Sequence, residues 1–276
     1  MFDALPDPPG DSLFQTPAFG AALRLVGRSP ITLPGGQILL RRRLCGVEFL
    51  MLPRADPPAD LNAQLCAMGL GGRPLILSPE RARPSGRVLR LRAPVATFDL
   101  ALHTDEQSQR AALHGKWRNA LRRTERGALR VRHGSLDPCD PVIAAAAAQA
   151  RTRRYAAWPA GLTAAWAQVA PQQTRIFRAC LRGEEIAQMV FLLHGTRASY
   201  QIGLTTDLGR ATGAHTLLMW SAMRWLVRAG ISRVDLGPSL PHAYGIDRFK
   251  ARTGAQLRET GGTWLRWRPL ARGRRP

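Results

Sequence analysis

The chain has 276 residues, 45% of them hydrophobic and 21% charged, enough for a sizeable core and too apolar for a disordered polymer. Lys+Arg number 40 against 19 Asp+Glu, a formal net charge of +21, which excludes an ordinary neutral surface and points to an anionic partner such as nucleic acid, nucleotide, phosphate ester or membrane headgroup. Only Lys116 and Lys250 are lysine and every other basic residue is arginine, so part of this charge is a habit of composition.

In chain order, residues 1–10 carry two acids and three prolines without an apolar run, which is not a signal peptide. Strands are expected at 37–41 and 47–52, a helix at 60–68, strands at 74–78 and 87–92, a long helix at 104–126 and a strand at 128–132. The cluster Asp137-Pro138-Cys139-Asp140-Pro141 interrupts any regular element, because proline restricts itself and the residue before it. It sets the expected boundary between domains 1–137 and 138–276. The second half predicts an alanine-rich helix at 142–158, a shorter one at 162–170, and a meander of strands at 174–181, 185–193 and 198–204. A polar loop at 205–213 leads to a helix at 214–229 that stops at Gly230. A strand at 231–236, a short helix at 246–252 and a strand at 256–267 complete the chain. The central β-α-β requires a crossover, which makes two strands parallel. The four cysteines, Cys45, Cys66, Cys139 and Cys180, lack any C-x-x-C spacing, and the histidines are scattered, so no metal site is expected and a reducing compartment fits. The most apolar run, 217–227, is broken by Arg224 and is too short to span a bilayer. The expectation is a soluble, cytoplasmic protein.

Three segments can carry chemistry. Leu208-Gly-Arg-Ala-Thr-Gly-Ala-His215 joins a loop to a helix, where unpaired N–H groups and the helix dipole suit a pyrophosphate beside Arg210. Its plainer reading is a helix entry with Thr212 as N-cap and Gly213 in the turn. The stretch 234–250 gathers Asp235, Ser239, His242, Tyr244, Asp247 and Lys250 in the loop after a parallel strand, where α/β sheets place ligands. His242 and Tyr244 suit proton transfer, and Lys250 suits a developing negative charge. The competing reading has Asp235 pairing with Arg233 or capping a turn. Along the helix at 107–126, Arg110, His114, Arg118, Arg122 and Arg126 recur every four residues, with Lys116 nearby and only Glu125 as an internal partner, to Arg122. Such a ridge suits a phosphate backbone, or is simply a solvated face. Tyr155 and Trp158 read as packing.

Taken together, Phe14-Gln-Thr-Pro-Ala-Phe19, Lys116-Trp-Arg-Asn-Ala-Leu-Arg-Arg-Thr-Glu-Arg-Gly127, the run from Gly213 to Gly237, and Gly245-Ile-Asp-Arg-Phe-Lys-Ala-Arg-Thr-Gly254 resemble the Fem-type branch of the GNAT acyltransferases. The resemblance implies an α/β (α+β) fold of two tandem GNAT-like domains, each a mixed, mostly antiparallel sheet flanked by helices. It implies transfer of an acyl group to an amine, from acyl-CoA or from aminoacyl-tRNA, the latter donor serving peptidoglycan precursors. Carried over by position, Lys250 looks like the lysine near the reacting carbonyl or a substrate phosphate. Asp235 looks like the acid ending the core strand. Arg210, Thr212, Gly213, Ala214 and His215 look like the donor loop, with His215 standing where a small residue is usual and narrowing the space for a pyrophosphate. Tyr200 looks like a pocket residue, and Lys116, Arg118, Asn119 and Arg122 like substrate-binding positions. The first expectation is therefore an acyl-CoA-dependent transferase acting on an unidentified amine. Aminoacyl-tRNA-dependent transfer is the alternative within the family, and a non-catalytic basic module binding RNA or an anionic envelope component is the alternative outside it, with peripheral contact to an anionic membrane in view.

Overall fold

The computed structural model describes residues 12–44, 46–81, 83–240 and 244–267, so Cys45 and His242 lie outside the described residues. Two compact units emerge, one of residues 1–96 with 259–276, the other of residues 97–258. This division differs from the boundary expected at 137/138. The reason lies in which sheet each strand joins. Residues 97–137 add strands and helices to the second sheet, and the Asp137–Pro141 break is a turn within the second unit.

The first unit holds a six-stranded sheet in the order β1 (Ile31–Thr32), β2 (Ile38–Leu44), β3 (Val47–Pro53), β4 (Leu75–Ser78), β13 (Thr263–Arg266) and β5 (Leu89–Arg92). Only β3 and β4 run parallel, and the other pairs are antiparallel. Helix α2 (Leu61–Ala67) makes the crossover and buries Leu61 and Leu65 on Leu39, Leu50, Leu52, Leu75 and Leu77. Helix α1 (Pro17–Leu25) starts where Thr16 Oγ1 accepts the Phe19 N–H at 3.1 Å, with Pro17 in the first turn. Gln15 ties this start to the sheet. Its amide donates to Pro53 O at 2.6 Å and accepts from Ile38 N–H at 2.7 Å, so the Phe14–Phe19 motif is architectural here.

The second unit holds a seven-stranded sheet in the order β12 (Gln256–Glu259), β6 (Ala96–Ala101), β11 (Arg233–Pro238), β10 (Arg197–Thr205), β9 (Glu184–His194), β8 (Thr174–Leu181) and β7 (Arg130–Gly134). Pairs β10–β11 are parallel, as the crossover argument requires. Side chains alternate across the sheet. Phe177, Met189 and Phe191 face one core with Trp117, Leu121, Leu218 and Met219, from α4 (Gly115–Glu125) and α8 (Ala214–Arg228). Ile176 and Val190 face another core with Val142, Ile143 and Ala167, from α5 (Pro141–Arg153) and α6 (Ala160–Val169). Two mixed sheets flanked by helices are the expected class.

Four local expectations change. The helix expected at 104–126 is two, α3 (Glu106–Ala112) and α4, because Leu113 is extended and His114 Nδ1 accepts the Lys116 N–H at 3.1 Å to cap a new start. The loop at 205–213 contains a short helix, α7 (Asp207–Thr212), capped by Thr206. The strand at 256–267 is two strands in two different sheets, β12 and β13. No strand is expected at 93–103, yet β6 lies there, with a buried aspartate at its centre that breaks the usual strand composition.

Candidate active site

The site begins with a fork. Strands β10 and β11 pair only through Arg197↔Arg233, Ala198↔Val234 and Ser199↔Asp235. Beyond Ser199, β10 bulges between Tyr200 and Ile202 and runs on to Thr205, while β11 runs on to Pro238. Two parallel strands that separate leave their facing backbone groups available to a ligand.

The β11 arm carries Lys250. Helix α9 (Tyr244–Arg252) returns to the end of β11, and there Lys250 is only 6% exposed. Its Nζ donates to Pro238 O at 2.9 Å and stands 5.6 Å from the centre of the Phe98 ring. Burial pushes this ammonium below its ordinary value, and the carboxylates of Asp247 and Asp235 oppose the shift. Asp235 accepts the Gly237 N–H at 2.7 Å, forming the turn that ends β11. The turn was one half of the competing reading for Asp235. Arg233, the partner in the other half of that reading, gives its guanidinium to Asp99 at 2.6 Å. Asp247 accepts from Ser239 Oγ at 2.6 Å and so closes the loop leading into α9. Tyr244, at the start of α9, is 82% exposed.

The β10 arm leads to the residues expected to form a donor loop. Gly213, with φ 72°, starts α8, and among the described residues no side chain caps that helix. Thr212 is not the N-cap expected from the sequence. Its hydroxyl donates back to Leu208 O at 2.8 Å, because α7 ends at that residue. Arg210 is held inside the same turn by Asp207 and by Thr205 O at 3.0 Å. His215 Nε2–H donates to Leu204 O at 2.8 Å, and burial lowers the pKa of the ring below its ordinary value. The imidazole is therefore held on the end of β10. Tyr200 lies over Gly203, where a methyl group would collide with its hydroxyl. Burial, with Tyr155 adding, pushes its phenol above the ordinary range.

The basic helix contributes a separate feature. Arg118, Asn119 and Arg122 line an open groove of about 790 Å³ between α3 and α4, shared with Asp105 and Glu106. Lys116 is exposed near the start of α4. Arg110 lines the same groove from α3, but it is not a free cation there. Its guanidinium pairs with Glu106 at 3.0 Å and Glu125 at 2.6 Å, and lies 4.4 Å from the centre of the Trp220 ring. Glu125 is thus the partner of Arg110 and not of Arg122.

One cluster escaped the sequence reading. Asp99, 3% exposed in β6, meets Arg233 at 2.6 Å, Arg197 at 3.3 Å and Arg258 at 3.7 Å. These residues come from four strands that are neighbours only in the folded sheet. The only trace in the sequence is an aspartate inside the apolar run Thr97-Phe-Asp-Leu100. Among the described residues no group of three His, Cys, Asp or Glu is placed to hold a metal ion.

The second unit thus presents a mixed sheet with a forked parallel pair, a helix opening after one arm and a buried lysine on the other. The family described as "Acetyltransferase (GNAT) domain" matches residues 107–251, just over half of the chain, and the chain belongs to that family. It is a GNAT-type N-acyltransferase with a Fem-like fold. Among solved structures it is similar to FemX, with a TM-score of 0.71 and 11% identity, over 95% of this chain and 94% of that one. It is also similar to L-PGS from Bacillus licheniformis, with a TM-score of 0.55, 12% identity and coverage of 96% and 94%. A conserved protein of unknown function from Bacteroides thetaiotaomicron matches with a TM-score of 0.62, 10% identity and coverage of 94% and 91%. No curated protein matches the chain.

Proposed function

We propose that the chain transfers an acyl group from acyl-CoA to an acceptor amine, with the donor laid along the β10 arm and its carbonyl at the fork. The observation that carries this reading is the early separation of β10 from β11, with the uncapped start of α8 after one arm and Lys250 on the other. In this reading the N–H groups at the start of α8 and its dipole take the pyrophosphate. Holding of His215 on Leu204 O supports it, because the ring is then fixed by the strand. The amine attacks the carbonyl carbon, the C–S bond breaks and the thiolate leaves with the proton that the amine loses. Lys250 and the β10 backbone stabilise the oxyanion as it forms. Tyr244 and His242 are the candidates for proton transfer, of which only Tyr244 is a described residue, and Asp235 is a positioning residue through its turn at Gly237.

A thermal-shift titration with CoA and acetyl-CoA tests the donor. Saturation at about a hundred times the dissociation constant adds roughly 2.7 kcal/mol of stability. A saturable rise in Tm supports the reading, and the absence of any rise rejects it. With an acceptor in hand, Lys250→Met should lower kcat by about 100-fold or more, while preserving most of the buried stem. A variant with undiminished turnover would remove Lys250 from the mechanism. A second reading, with aminoacyl-tRNA as donor, is favoured by the arginine-lined groove on α4. It predicts protection of the protein by tRNA and none by CoA.

A further inference from the structure

A small cavity of about 50 Å³ opens beside the fork, under the β10 bulge. Its floor is Gln201, Ile202 and Gly203, the residues that follow the last β10–β11 pair. Its walls come from α5 and from the connection between α5 and α6, through Ala147, Tyr155 and Trp158. Gln149 braces it, donating to Tyr155 Oη at 3.1 Å and to Gly203 O at 3.3 Å. Trp158 is set in turn against Trp166, with ring centres 6.2 Å apart.

Two properties limit what this space accepts. The first is size, since an apolar cavity that binds benzene measures about 150 Å³, three times as large, leaving room here for about two or three carbons. The second is charge. The lining holds Gln149, Gln201, Thr163 and Tyr155 among apolar residues and contains no Asp, Glu, Lys, Arg or His. An ammonium or a phosphate placed there would be desolvated without a counter-charge. An amine acceptor and an aminoacyl group both carry that ammonium, and a plain acyl chain does not.

We infer that this cavity receives the acyl tail of the donor and selects an uncharged chain of about two or three carbons, with Trp158 and Ala147 setting the limit. The inference deepens the acyl-CoA reading above and rests on it. Each methylene fully removed from water tightens binding by at most about fourfold, and by less where it meets Gln149, Gln201, Thr163 or Tyr155. Isothermal titration calorimetry with CoA, acetyl-, propionyl-, butyryl-, hexanoyl- and β-alanyl-CoA therefore reads the cavity without needing the acceptor. Affinity should rise from CoA through propionyl-CoA and fall again by hexanoyl-CoA. Butyryl-CoA should bind more tightly than β-alanyl-CoA, which has the same length and a terminal ammonium. Trp158→Ala should move the optimum to longer chains, and Ala147→Leu should erase the advantage of acetyl-CoA over CoA. Both variants are checked by their ligand-free Tm. Hexanoyl-CoA binding wild type as tightly as propionyl-CoA, or β-alanyl-CoA matching butyryl-CoA, would overturn the inference while leaving the donor reading intact. Failure of CoA and of every acyl-CoA to bind would overturn the donor reading and the inference with it.

Discussion

His215 stands near the start of α8, with its ring on the end of β10. Its place at a helix entry is legible in the sequence, but the bond to Leu204 O depends on β10 passing beside α8. A pH effect follows from that burial. The folded-state pKa lies below the ordinary 6.5, so below that pH the unfolded chain takes up a proton that the folded chain refuses. Stability should therefore fall as pH drops from about 7.5 to about 5.5, and His215→Gln, which keeps an N–H for Leu204 O, should flatten part of the fall in Tm. His133, whose pKa is lowered first by burial and then by Arg175 and Arg228, acts in the same direction. An unchanged pH profile would show that the buried imidazole is not what the fall reports. Of the two lysines in this arginine-using chain, Lys250 is buried and Lys116 is exposed, a difference that only the fold shows.

At the scale of elements, two glycines are held by their neighbours. Gly213 has φ 72°, and a methyl group there would stand 2.8 Å from Thr124 Cγ2. Gly254 has φ 91°, and a methyl group there would stand 2.8 Å from Ala112 O. Both alanine substitutions carry the left-handed penalty of about 1–2 kcal/mol. Gly254→Ala should be the worse of the two in urea denaturation, because a backbone carbonyl yields less readily than a methyl group. Asp99 makes a stronger case. Asp99→Asn would leave Arg197, Arg233 and Arg258 around a neutral amide, and loss of a partner from a buried ion cluster typically costs about 3–5 kcal/mol. A loss under about 1 kcal/mol, the range of exposed pairs, would mean that water already screens the cluster.

Over the whole molecule, the charge of +21 divides into parts with different jobs. Arg197 and Arg233 are spent on the buried carboxylate of Asp99, and Arg110 pairs with Glu106 and Glu125 within the open groove that Arg118 and Arg122 also line. Arg118→Glu with Arg122→Glu should change stability by no more than about 0.5 kcal/mol per site, the range of ordinary surface positions. The same pair should flatten the salt dependence of tRNA binding if that groove meets a polyanion. An unaltered salt slope would make the groove a solvated face.

The meander, the long apolar helix and its stop at Gly230 were determined by the sequence alone, because periodicity and turn residues act over a few positions. Residues 174–181 and 214–229 were expected as strand and helix, and the structure has them as β8 and α8 within a residue. The crossover also required one parallel pair, and β10 with β11 supplies it. The tertiary structure alone decided where the two units divide, since β6 reads as an interrupted apolar run until it lies between β11 and β12. It decided which carboxylate meets which arginine, because Asp99 and Arg258 are brought together only by sheet order. It also decided that a fork and a small neutral cavity lie side by side, for the walls of that cavity come from segments about fifty residues apart that touch only when α5 packs on β10.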